Sequence, residues 1–132
     1  MKNRFLTILL FSIVGSCMFL IQACSKPNDP PAASIRTVKY EVTGNFSGNL
    51  IASYTTAAGG TANETITALP WTKEVTYQNT VTAAIIAASG NGGTAGQSIT
   101  IVVKKGTTTV STTPATAIAS GSFTVSSPVV RF

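Results

Sequence analysis

Along most of this chain hydrophobic and polar residues alternate with a period of two. In Val38-Lys39-Tyr40-Glu41-Val42-Thr43 the apolar side chains fall on one face and the polar ones on the other, the pattern of a half-buried strand. Asn49 to Thr56 repeats it, with Leu50, Ala52 and Tyr54 in one phase. Glu64 to Leu69 and Trp71 to Gln78 form two short runs parted by Pro70, which cannot donate to a central ladder. Thr80 to Ser89 is rich in alanine, and its Ile85-Ile86 pair points to burial on both faces. Gln97 to Lys105 turns Ile99, Ile101 and Val103 inward, and Gly106-Thr107-Thr108 reads as a tight turn into Thr109 to Thr113. Ala115 to Ser126 closes the set, with Ala117, Ala119, Phe123 and Val125 as inward candidates.

Between the runs stand Gly44-Asn45, Gly59-Gly60, Gly90-Asn91-Gly92-Gly93 and Gly106, residue types that accept the backbone conformations of turns. The dominance of Thr, with Val, Ile, Ala, Ser and Gly, favours strands, because β-branched side chains fit a pleated surface and lose rotamer freedom in helices. Only Thr80 to Ser89 could pass as a helix on its alanines, and its threonine, valine and isoleucine pull the other way. About seven short strands at regular spacing predict an all-β domain, a sandwich or small barrel, over residues 35–132.

The N-terminus breaks the alternation. Lys2, Asn3 and Arg4 precede an apolar stretch from Phe5 to Ile21, which closes with Ile21-Gln22-Ala23-Cys24. An aliphatic residue three before a cysteine and a small one directly before it mark a lipoprotein signal peptide (residues 1–23), removed on maturation. Cys24 is then the lipidated first residue of the mature chain, and Ser25 to Ser34, with Pro27, Pro30 and Pro31, a tether. An uncleaved signal anchor competes, since a membrane span needs roughly 20 apolar residues. Cys17 could end a second cleavage box, but Met18-Phe19-Leu20-Ile21 would then remain as an apolar stub. Ser25 is not the aspartate that holds many lipoproteins in the inner membrane, so the outer membrane is the expected address.

Charge changes little. The formal net charge is +5, and loss of Lys2 and Arg4 leaves seven basic residues against four acidic ones, a net of +3. The seven are scattered except for Lys104-Lys105, whereas nucleic-acid binders gather positive charge on one face. No nucleic-acid partner is expected.

Candidate chemistry is sparse. Residues 35–132 contain no histidine, cysteine or aspartate, and Glu41, Glu64 and Glu74 are their only acids. General acid–base catalysis wants a group titrating near neutrality. Glu41 and Glu74 lie beside Lys39 and Lys73 in what reads as the outward phase, as on solvated strand faces. No catalytic residue, metal ligand or cofactor is expected, and the domain is read as not an enzyme. Trp71 reads first as a core plug and second as a ligand- or partner-facing side chain. Lys104 and Lys105 read as a solvated hairpin tip, with partner contact as the alternative.

Four segments in order, Val38-Lys39-Tyr40-Glu41-Val42-Thr43-Gly44, Leu69-Pro70-Trp71-Thr72-Lys73, Ser98-Ile99-Thr100 with its following basic hairpin, and Gly121-Ser122-Phe123, resemble the extracytoplasmic domain of the MmpS family. These are the mycobacterial small membrane proteins that accompany large lipid and siderophore exporters. The resemblance spans about residues 37 to 127 and implies an immunoglobulin-like antiparallel β-sandwich outside the cytoplasmic membrane, acting as a non-catalytic accessory of an RND-type transporter. The chain departs from the family in two ways. A lipid signal stands where the family has a transmembrane helix, and Ile101 sits where the first of a cysteine pair would fall. Fold therefore carries over better than function. Two readings follow: an envelope lipoprotein that docks on a transport or envelope complex, or a carrier of a small apolar ligand such as a lipid or siderophore. A structural surface protein is the third.

Overall fold

A computed structural model describes residues 34–132; the stretch read as a signal peptide, Cys24 and the stretch read as a tether, up to residue 33, lie outside the described residues. The described chain is all-β: β1 (Thr37–Gly44), β2 (Asn49–Thr55), β3 (Thr61–Ile66), β4 (Trp71–Thr76), β5 (Ala83–Ala84), β6 (Ile86–Asn91), β7 (Ser98–Lys105), β8 (Thr108–Thr116), β9 (Phe123–Ser126) and β10 (Val130–Arg131). They build an antiparallel β-sandwich, with one sheet in the order β4-β1-β7-β8 and the other in the order β3-β2-β6-β9. A short β10-β5 pair is added to these.

The alternation fixes which faces meet. Side chains point to opposite faces along a strand, so β1 buries Val38, Tyr40 and Val42 and turns Lys39 and Glu41 outward. β7 buries Ile99, Ile101 and Val103 in the same way, and its register sets Tyr40 opposite Val103 and Val42 opposite Ile101. The second sheet contributes Leu50, Ala52, Tyr54, Ile86, Ala88 and Phe123. Each fully buried Val or Ile contributes about 1.5–3 kcal/mol.

The strands outnumber the expected seven because predicted runs are redrawn and Val130–Arg131, outside all of them, forms the extra strand β10. Thr80 to Ser89 breaks into β5 and β6, and Ile85 between them is 37 % exposed while Ile86 is fully buried. The adjacent isoleucines do not both enter the core. Ala115 to Ser126 also divides, since β8 belongs to one sheet and β9 to the other. The chain crosses between them through a turn in which the Gly121 amide donates to the Ile118 carbonyl at 2.9 Å. Ala117 is buried as expected, but Ala119 lies exposed in that crossing.

Two tyrosines solve a problem that the alternation creates. Tyr40 is fully buried, so its hydroxyl needs a partner. Tyr77, just past β4, supplies it: the two hydroxyl oxygens are 2.6 Å apart, and the Tyr77 hydroxyl donates to the Thr55 carbonyl at 2.9 Å. Tyr77 spends its one hydrogen on Thr55, so Tyr40 is the donor between the two rings. Burial, then the Tyr77 hydroxyl, pushes the Tyr40 phenol above its ordinary range, and burial pushes Tyr77 up too. The direction of donation predicts an asymmetry. Tyr40→Phe leaves the Tyr77–Thr55 bond intact and is expected to cost about 1 kcal/mol, whereas Tyr77→Phe strands a buried donor and costs about 1–3 kcal/mol. Urea denaturation of the two variants measures this, and equal losses would contradict the assignment.

Candidate functional site

Three places gather polar side chains. The first is the open side of the sandwich, where edge strands β3 and β4 face each other. Glu64 on β3 pairs with inward-facing Ala52, and on β4 Trp71 pairs with Val42 and Lys73 with Tyr40. All three side chains therefore point between the sheets. The Lys73 ammonium and the Tyr54 hydroxyl donate to Glu64 Oε2 at 2.8 and 3.1 Å, and the Trp71 indole N–H donates to Oε1 at 3.1 Å. Lys73 also stands 5.4 Å from the centre of the Tyr54 ring. Trp71, read first as a core plug, is packed against the core but only partly buried. An edge-strand position leaves it half-buried against the core, with its ring 6.3 Å from that of Tyr54 and its polar N–H on a carboxylate.

Lys73, expected outward beside Glu74, is corrected to the inward phase. Trp71, Lys73 and Val75 share parity, and Val75 is core. Glu74 is the outward residue, opposite Lys39. The same parity was a usable sign of the Glu64 cluster. Its partner Glu64 lay in a weakly patterned run, Thr-Ala-Asn-Glu-Thr-Ile, and gave no such sign.

The second place is the outer face of the first sheet. Glu41 accepts from Lys39 at 2.8 Å through Oε1 and from Lys104 at 2.9 Å through Oε2. Lys104 is thus part of a three-residue ion network, not a free hairpin tip.

The third place is the end of the sandwich where β1 begins. Arg36 donates from Nε to the Tyr77 carbonyl at 3.1 Å and from Nη2 to the Gln78 carbonyl at 2.6 Å and to that of Val81. Its guanidinium lies 4.7 Å from the centre of the Phe132 ring, and Lys105 Nζ lies 5.2 Å from it. Lys105 also donates to the Arg131 carbonyl at 2.8 Å. Beside them is an open groove of about 270 Å3, lined by Lys105, Val110, Ser111, Pro128, Val129, Val130 and Arg131. Lys104 and Lys105, adjacent in sequence, thus serve different surfaces. Trp71 is at neither.

These clusters have the charge states of clasps. Hydrogen bonds from Lys73, then Trp71 and Tyr54, hold the Glu64 carboxyl below its ordinary range, and Lys39 and Lys104 do the same for Glu41. Glu64 raises Lys73, and Glu41 raises Lys39. A general base or an amine nucleophile working near neutrality needs the opposite shifts. Among the described residues no three His, Cys, Asp or Glu gather as metal ligands.

Depressed carboxyls set the sign of the pH response. Their stabilisation is complete above the unfolded value of about 4.3 and is lost as pH falls through the lower folded values. The raised lysines lose theirs only as pH climbs through folded values above about 10.4. The melting temperature should therefore hold between neutrality and about pH 5 and fall below about pH 4.3. Glu64→Gln should flatten part of that acid slope, as thermal melts followed by circular dichroism across pH 3 to 7 would reveal.

Comparison with known proteins adds no relative: no protein-family model, no curated protein and no solved structure matches the chain.

Proposed function

We propose that this chain is a non-catalytic envelope lipoprotein, anchored by lipid on Cys24, whose sandwich docks on a membrane transport complex of RND type or another envelope assembly. Its place is the outer membrane in preference to the inner. The signal at Ile21-Gln22-Ala23-Cys24 and the resemblance to the MmpS domain support the address and the class of partner.

One observation carries the docking reading: the edge formed by β8. This strand ends its sheet, runs for nine residues and bears no charge. Natural sheets usually blunt such edges with lysine, proline or a bulge. Here Pro114 sits near the far end and a bulge with Val110 as its extra residue interrupts the near end, so the unblunted part of this uncharged edge is Ser111 to Thr113. Edge strands β3 and β4 on the opposite side carry Glu64, Lys73 and Glu74. A sheet edge of this kind recruits partners by adding a strand.

Affinity capture of the lipidated protein from envelope membranes tests this. The wild type should recover a transporter component, and Thr109→Lys/Thr112→Lys, which charges the edge without touching the core, should lose it. Failure to recover any transporter component, or equal recovery by both proteins, counts against docking.

The alternative, a small apolar-ligand carrier, would have to use the end groove. That groove is open, flanked by Lys105 and Arg131, and at about 270 Å3 falls below the range of roughly 300–1,000 Å3 common for ligand sites. The space between the sheets is occupied by Tyr40, Ile86, Ile99 and Ile101, all fully buried. Docking is the better-supported role.

A further inference from the structure

The two ends of the sandwich differ in charge, and the difference coincides with where the tether joins. One end comprises the loops at 45–49, 67–70, 92–97 and 117–122, brought together by the Asn45–Ser98, Ser47–Gln97 and Gly93–Gly121 hydrogen bonds. Those loops contain no charged residue. The other end comprises residues 34–36, 56–60, 77–82, 105–107 and 127–132, joined by bonds from Gln78 to Ala57, Gly106 to Thr37 and Phe132 to Thr82. It holds Arg36, Lys105 and Arg131 and no acidic side chain. Among the described residues none of the three cations meets a carboxylate.

Exposed apolar side chains stand among these cations. Ile35, Val110 and Val129 are 56 %, 45 % and 50 % exposed. Val110 and Val129 line the groove with Lys105 and Arg131. Ile35 lies on the hairpin tip, where a side chain at Gly106 would meet it at 3.2 Å. Apolar groups among cations with no acidic side chain are the composition of a surface that sits at a bilayer interface.

We propose that this basic end docks on the anionic phospholipid headgroups of the bilayer that holds the Cys24 lipid, so that the domain stands upright on the membrane. The proposal rests on the lipoprotein reading of Cys24. Ser34 lies ten positions after Cys24, a length of chain that spans at most about 35 Å. That distance is several times the screening length of about 8 Å at physiological salt, so the anchor alone does not orient the domain. Lys105 and Arg131 do, each strengthening attachment to an anionic surface about fivefold, while Val110, Val129 and Ile35 meet the headgroup layer. The uncharged end and the upper part of β8 then face away from the bilayer, towards a partner.

The test uses the full chain purified from membranes and reconstituted into vesicles of phosphatidylglycerol and phosphatidylcholine. A fluorophore is placed on Thr107→Cys at the basic tip or on Ile118→Cys at the uncharged end, with nitroxide-headgroup lipid as quencher. The tip label should be quenched and the Ile118 label not. The difference should vanish in 1 M salt, in vesicles without phosphatidylglycerol, and in Lys105→Gln/Arg131→Glu. Arg131→Glu alone, on an exposed side chain that accepts or donates nothing here, should weaken quenching about fivefold or more and guards against a folding defect in the double variant. Equal quenching at both labels overturns the proposal, as does a tip signal indifferent to charge and salt. So does tip protection found only in native membranes, which would assign this end to a protein partner. Mass spectrometry of the same sample separates the two levels: an unacylated chain refutes the anchor itself, whereas an acylated chain with unbiased quenching refutes only the orientation.

Discussion

Cys24→Ala should stop maturation. The wild-type chain is expected to lose residues 1–23, to carry fatty acid on its first residue and to sediment with membranes, with globomycin causing the precursor to accumulate. The variant should accumulate as the precursor with no acyl label at all, because the proposed lipoprotein reading makes the thiolate of Cys24 the group that takes the lipid. The size of the effect follows from anchoring energetics. One myristoyl-length chain holds a protein only marginally, with an association constant of about 10⁴ M⁻¹, and stable attachment takes a second signal. On the proposed reading, removing Cys24 therefore abolishes the lipid attachment outright, and only the uncleaved apolar stretch Phe5 to Ile21 is left to hold the precursor. Labelling with palmitate and intact-mass measurement give the answer directly. A wild-type mature chain free of fatty acid, or a Cys24→Ala chain trimmed to the same length, would return the N-terminus to the competing signal-anchor reading.

How much of the domain could be read in advance depended on where each strand sits in its sheet. β1 and β7 are central in the first sheet, and their alternation transferred to the structure without a slip: Val38, Tyr40, Val42, Ile99, Ile101 and Val103 are all fully buried. A central strand is held on both edges, so a one-residue error of phase would expose a whole apolar row. Edge strands obey the pattern less strictly. On β4 the inward phase admits Lys73 as well as Trp71 and Val75, because an inward position at the rim still reaches water and a carboxylate from the opposite sheet. The periodicity carried that information; the assumption that a lysine faces outward concealed it.

Breaks in strands were harder still. Nothing in Ala83-Ala84-Ile85-Ile86 marks the exposed Ile85 as the junction between β5 and β6, since the junction is made by distant partners. Val130 pairs with Ala84, and the Thr55 amide reaches the Ile85 carbonyl at 3.1 Å. The Tyr40–Tyr77–Thr55 relay and the Glu64 clasp have the same character, each uniting residues from strands of different sheets. Of the candidate residues, Lys104 and Lys105 were marked for the right hairpin without a hint that one faces Glu41 and the other Phe132. The alternation of β7 runs on through the pair, with Lys104 outward opposite Lys39 and Lys105 opposite the inward Val38, while the bulge beside them inserts Val110 on β8.

Gly44→Ala should be among the most damaging single substitutions in the domain, and Gly92→Asn among the mildest, although both positions read alike as turn glycines. Gly44 ends β1 with φ of +137°, a conformation that is close to glycine-only. It also lies against the backbone of β7: an added Cβ would overlap the Ser98 carbonyl oxygen and sit 2.7 Å from the Ile99 Cα. Neither atom can yield cheaply. The Ser98 carbonyl accepts the Asn45 amide at 3.0 Å, and the Ser98 amide donates to Asn45 Oδ1 at 2.8 Å. Ile99 is itself fully buried core. Backbone strain of about 1–3 kcal/mol therefore adds to a clash that must part β1 from β7, and a loss of at least about 3 kcal/mol is expected. At about 4–8 °C per kcal/mol for a domain of this size, the melting temperature should fall by roughly 12 °C or more. Gly92 has φ of +70° and open space where a Cβ would stand, and asparagine tolerates that left-handed region. Its substitution should cost less than about 1 kcal/mol. Thermal unfolding of the two variants decides the matter. Similar small losses at both would mean that β1 does not leave its ladder through the close approach of Gly44 to Ser98, and the register of the central pair of strands would have to be redrawn.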